Sequence, residues 1–135
     1  MHPALALQKA MIARLRDDAV LTALLGGPHV HDRPPRRAPL PHVVLHEIET
    51  RAWDTFRHRG HEHKVTFHIW SEHGGKRRAY EIIARMDELL DDAPLALDGH
   101  HLVNLRTIFW TALQARRERL FQGVMRLRAT TQPVS

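Results

Sequence analysis

The sequence predicts an α+β domain: a mainly antiparallel β-sheet with two main helices packed on one face and a long C-terminal β-hairpin. Three observations predict it. Apolar residues recur at helical spacing near the N-terminus and again over residues 79–90, strand-like alternation lies between and after these segments, and the order is helix, strands, helix, hairpin. A length of 135 residues agrees with a single domain, 1–135, large enough for one real core.

Ala4, Leu7, Met11 and Leu15 recur at helical spacing behind Pro3, which suits a first helical position, and Arg16, Asp17 and Asp18 close this first helix. Asp17 or Asp18 then caps a short helical turn through Val20, Leu21, Leu24 and Leu25, ended by Gly26 and Gly27. Pro28 to Asp32 reads as extended, and Pro34, Pro35, Pro39 and Pro41 impose an irregular loop around Arg36 and Arg37. Val43, Val44, Leu45 and Ile48 suggest a strand from His42 to Thr50. After a polar loop the segment Lys64 to Trp70 alternates, with Val65, Phe67 and Ile69 on one side and Lys64, Thr66, His68 and Trp70 on the other. Gly74 and Gly75 break the sheet. Ala79, Ile82, Ile83, Met86, Leu89 and Leu90 form the stripe of a helix from about Lys76 to Asp92, stopped by Pro94. A turn at Asp98 and Gly99 leads into a long strand, Leu102 to Leu113, expected to place Val103, Leu105, Phe109 and Leu113 on one face. The chain reverses at a polar tip, Gln114 to Arg119. The return strand sets Phe121, Met125 and Leu127 inward and Gln122, Arg126 and Arg128 outward, and Thr130 to Ser135 reads as a frayed tail.

Composition removes several classes of function. Cysteine is absent, so disulfide frameworks, thiol catalysis and zinc ribbons are excluded. No apolar run approaches the ~18 residues that cross a bilayer, and Met1 to Ala10 lacks the order of a secretory signal, so the expectation is a soluble protein of the cytoplasm without membrane contact. Twenty Lys and Arg against fifteen Asp and Glu leave a net charge of +5, with twelve histidines beside it. A small basic nucleic-acid-binding protein is therefore an alternative, distinguished by salt-dependent binding to duplex DNA.

The chemistry-bearing residues do not assemble into a catalytic pattern. His61 and His63, two apart on an extended chain, share a face, with His58 as a third candidate ligand, but no second shell accompanies them and His46-Glu47 opens no zinc motif because Thr50 stands where its second His belongs. Ser71 beside Glu72 and His73 lies on an extended chain that sends neighbours to opposite faces. Gly74, Gly75 and Lys76 lack the first glycine and the Ser or Thr of a phosphate loop. The expectation is no enzyme, no metal and no cofactor. The mixture Arg51, Trp53, Phe56, Arg57 and Arg59, with His58, instead has the character of a contact surface. The helix from Lys76 carries Arg77 and Arg78 at its positive end and Asp91 and Asp92 at its negative end, with Arg77–Glu81 and Glu81–Arg85 four apart as partial compensation.

In their order, Leu21-Thr22-Ala23-Leu24, the Pro-rich Arg33 to Pro41 before His42-Val43-Val44-Leu45, Thr66-Phe67-His68-Ile69-Trp70-Ser71 and Gly74-Gly75 before a helix resemble the tail completion (tail terminator) proteins of long-tailed phages and phage-derived gene transfer agents. Asp91-Asp92-Ala93-Pro94-Leu95, His101 to Arg106 and Gly123 to Ala129 continue the resemblance over nearly the whole chain, which departs from the family's acidic hairpin turn by carrying Ala115, Arg116, Arg117 and Glu118. The resemblance implies a non-catalytic adaptor that caps the head-proximal end of a tail tube, stops its polymerisation and joins it to the head connector. It implies a homo-oligomeric ring, typically a hexamer, around double-stranded DNA that passes without sequence reading. Its partners are then the tail tube protein and the head connector protein, and its place is the host cytoplasm during assembly and then the head–tail junction. Arg51, Trp53, Phe56, Arg57, Arg59, Arg77, Arg78, Asp91, Asp92, Arg116 and Arg117 are the expected interface residues.

Overall fold

The computed structural model describes residues 1–54, 59–72, 75–115 and 119–134. Helix α1 (Pro3–Arg16) begins with proline in its first turn, and α2 (Ala19–Leu25) is capped by Asp18, whose carboxylate accepts the Leu21 N–H. Gly26, at φ 76°, takes the left-handed conformation that ends α2. Helix α3 (Gly75–Leu90) buries Ala79, Ile82, Ile83, Met86, Leu89 and Leu90, the apolar stripe of the sequence. The strands are β1 (Val30–His31), β2 (His42–Ala52), β3 (His61–Ser71), β4 (His100–Gln114) and β5 (Phe121–Pro133). They form one sheet in the order β1-β2-β3-β5-β4, antiparallel except for the short β1–β2 pair.

Pleating sorts the sheet into two faces. Val43, Leu45, Val65, Phe67, Ile69, Leu105, Met125, Leu127 and Ala129 turn toward the helices and join Leu7, Met11, Leu15, Ile82 and Met86 in one core. Among the described residues no helix covers the other face. Gly123 lets α3 approach β5, since a Cβ there would stand 3.0 Å from Ile83 Cδ1 and 3.2 Å from Ile69 Cβ.

Four expectations are corrected. Thr130 to Pro133 is not frayed but completes β5, where Thr131 is fully buried between His61 of β3 and Leu102 of β4. The strand pairing of this interior position supplies the order that composition did not suggest. Arg51 and Ala52 belong to β2, and Trp53 extends the ladder by donating its N–H to Gly60 O at 2.8 Å, so the pairing runs past Thr50, where the strand was expected to end. Val103, Leu105, Phe109 and Leu113 do not share a face: register shifts at Val103 and Ile108 insert one residue each, turning Leu105 inward while Val103, Phe109 and Leu113 stay exposed. Arg85 does not pair with Glu81; it forks onto Asp18 at 2.7 and 2.9 Å and reaches Glu88 at 2.8 Å. Those bonds hold the Asp18 carboxyl down to about 2 and tie α3 to the cap of α2.

Candidate assembly surface

The expected interface residues fall into separate places. At the β2–β3 end, Arg51 faces Glu62 across the ladder at 4.0 Å, Trp53 is 40% exposed and Arg59 is exposed. Trp53 is set there by Gly60, where a Cβ would lie 2.9 Å from Trp53 O and 3.0 Å from Thr131 O. Phe56 and Arg57 lie outside the described residues, as do Arg116 and Arg117 of the hairpin tip.

The start of α3 follows the opposite end of β3, an 11-residue strand spanning roughly 36 Å. There Arg77 meets Glu81 at 2.9 Å, and Arg78 donates to Leu24 O at 3.0 Å, supplying a cation to the carbonyl end of α2. At the far end of the 16-residue helix, roughly 24 Å on, Asp91 Oδ1 accepts the Thr107 N–H at 2.9 Å and Arg106 Nε at 3.2 Å. Asp92 adopts φ 59° and donates its N–H to Leu105 O at 2.8 Å, while its carboxylate side is exposed. The two acidic residues are therefore unequal. Asp91 fastens the helix end to β4, and Asp92 presents its charge to solvent.

The histidines are spread over both faces. His63 is fully buried, its Nδ1 2.9 Å from Thr50 Oγ1 and its Nε2 2.9 Å from Thr131 Oγ1. Burial, with His61, His2 and His100 nearby, pushes its pKa down to about 4. His61 does share its face, with ring centroids 6.3 Å apart, yet the threonines occupy both nitrogens of His63. His58 lies outside the described residues, among which no group of three His, Asp or Glu side chains could hold a metal ion. His68 stacks on His46 at 4.1 Å on the helix-free face, and burial, His46 and Arg126 lower its pKa.

That helix-free face carries features the sequence reading did not isolate. Lys64, Arg128 and Arg106 stand directly opposite one another across β3, β5 and β4, and Arg126 lies over the Phe109 ring at 4.8 Å. Like charges in direct register disfavour the pairing by up to ~1 kcal/mol each. Large apolar groups also gather along β4, where Phe109 and Leu113 on this face, Trp110 on the opposite one and Ile108 at the bulge are all more than two-fifths exposed. One signal was available: Ile108-Phe109-Trp110 is a run of large apolar side chains that a pleated strand cannot turn to one face.

The fold and its surfaces define a small α+β domain whose distinctive features are exposed strands, charges and aromatics. Residues 9–132 match the family model of the Tail completion protein gp17, and the chain belongs to that family of phage-tail structural proteins. A chain in a solved structure described as the virion of a native gene transfer agent (GTA) particle superposes with a TM-score of 0.87 and 27% identity, covering 97% of this chain and 98% of that one. A second solved chain, at TM-score 0.57 and 15% identity over 100% of this chain and 98% of its own, shares the fold alone. Among curated proteins none matches the chain in sequence. No helix among the described residues is long and apolar enough to cross a membrane.

Proposed function

We propose that this protein caps the head-proximal end of a phage-type tail tube, ends tube polymerisation and joins the tube to the head connector, acting as a homo-oligomeric, six-fold ring around the DNA channel. The observation that carries this reading is the end-to-end likeness to a chain of a GTA virion, 97% of one against 98% of the other, within a tail completion family. It is a structural and not an enzymatic role, exercised first in the host cytoplasm and then at the head–tail junction. Arg51, Trp53, Phe56, Arg57, Arg59, Arg77, Asp92, Arg116 and Arg117 are its proposed contact residues toward neighbouring subunits, the tube protein and the connector; Arg78 and Asp91 act inside the subunit, holding the end of α2 and the edge of β4.

Removing the gene and imaging the products by electron microscopy tests the reading. Heads and tails should accumulate unjoined, with tubes of uneven length, and adding the purified chain should restore joined particles. Tubes of normal length already attached to heads would overturn it. The nucleic-acid alternative draws on the Lys64–Arg128–Arg106 row. It requires salt-dependent binding of duplex DNA by the isolated subunit.

A further inference from the structure

Both edges of the sheet are only half covered. On β4 the Asp91–Asp92 turn occupies the outward groups of Leu105 and Thr107, and beyond it no backbone hydrogen bond among the described residues reaches the outward side of Ile108–Gln114. At the opposite edge β1 pairs only with Val43 and Val44, leaving Glu47–Ala52 open in the same way. Open strand edges are templates for another strand. Each is flanked by a groove on the helix face: Tyr80, Ile83, Ala84, Asp87 and Trp110 line one of about 320 Å³ beside β4, and Leu5, Gln8 and Ile48 line one beside β2.

We infer that the open half of β4 pairs antiparallel with the open half of β2 from a second copy of this chain, joining subunits head to tail through a continuous sheet. The inference rests on the ring reading above and specifies its contact. Direction agrees, because β2, β3, β5 and β4 alternate, so β4 runs opposite to β2 and a copy of the same orientation presents an antiparallel partner. Facing agrees as well. Ile48, Thr50 and Ala52 share the helix-side face with Trp110 and its groove, whereas Glu47 and Glu49 share the helix-free face with Arg126 and Arg128. Apolar side chains thus meet the aromatic groove, and acids meet the basic strands. The contact joins two different patches, so it repeats around a ring instead of closing a dimer.

The chain contains no cysteine, which makes cross-linking clean. Phe109→Cys, Thr111→Cys or Leu113→Cys is combined with Glu47→Cys or Glu49→Cys in the full chain, and oligomers verified by light scattering are oxidised. Within one subunit the two positions lie three strands apart, roughly 14 Å, beyond the ~7 Å limit for a disulfide. At least one combination should give a ladder of linked subunits up to ring size on non-reducing gels, while each single variant yields dimers at most. Rings that form without a ladder in any combination overturn the edge pairing and leave the ring reading intact. A chain that stays monomeric even on tail tubes overturns both.

Discussion

His63 is a neutral imidazole locked between two threonine hydroxyls, and that placement makes the domain sensitive to acid. Its pKa falls to about 4 in the fold against 6.5 for a free imidazole. Between those values the unfolded chain takes up a proton that the folded chain refuses, so the stabilisation is complete above about pH 6.5 and drains away as pH falls toward 4, by at most about 1.4 kcal/mol per pH unit. Burial lowers His31 and His68 in the same direction. Urea midpoints should therefore decrease between pH 7 and pH 5, and His63→Gln, which keeps hydrogen-bonding groups at the site, should flatten that slope; an unchanged slope would show that His63 does not carry it. Spacing alone grouped His63 with His61 as candidate ligands. Its actual partners are Thr50 and Thr131, 13 and 68 residues away, which no local pattern connects to it.

At the scale of elements, α3 was the most legible segment, because its 3.6-residue stripe of Ala79, Ile82, Ile83, Met86, Leu89 and Leu90 is buried as written. Its seat on the sheet depends on Gly123, where a Cβ would press on the side chains of Ile83 and Ala79 of α3 and Ile69 of β3. Gly123→Val should destabilise the chain by about 1–3 kcal/mol by forcing α3 away from β3 and β5, read as a lower thermal midpoint, whereas wild-type stability would mean that Ile83 yields without cost. Four of the five strands were legible along the chain but not in detail, and β1 stood only as an extended segment. β2 and β3 each extend past the apolar run into Arg51, Ala52, His61 and Glu62, because the ladder between them continues through polar side chains. The bulges at Val103 and Ile108 reverse the facing of β4 without leaving a glycine or proline as a sign.

For the whole molecule, the charge arrangement bears on assembly. The basic start of α3 and its acidic end lie roughly 24 Å apart in one subunit, so they meet only between subunits. Replacing Asp91 would confound the question, since its carboxylate holds Thr107 and Arg106. Asp92→Lys avoids that bond: if the two ends face one another around a ring, it should weaken ring closure most at low salt, and Arg77→Glu added to it should recover closure. Sedimentation of the two variants decides; rings unaffected by Asp92→Lys, or not rescued by the second change, mean that the ends do not meet.

The sequence by itself determined the α+β class, the two main helices, the hairpin and the likeness to tail completion proteins, because these rest on periodicity and on the order of local segments, which near neighbours in the chain enforce. Only the tertiary structure decided which residues are free to act. Arg78 was absorbed by the end of α2, Asp91 by the edge of β4 and Arg85 by the cap of α2, while Tyr80, Phe109 and Trp110 were left exposed. Side-chain partners, strand bulges and open sheet edges are set by contacts between segments tens of residues apart, and the chain's local pattern is the same whether those contacts form or not.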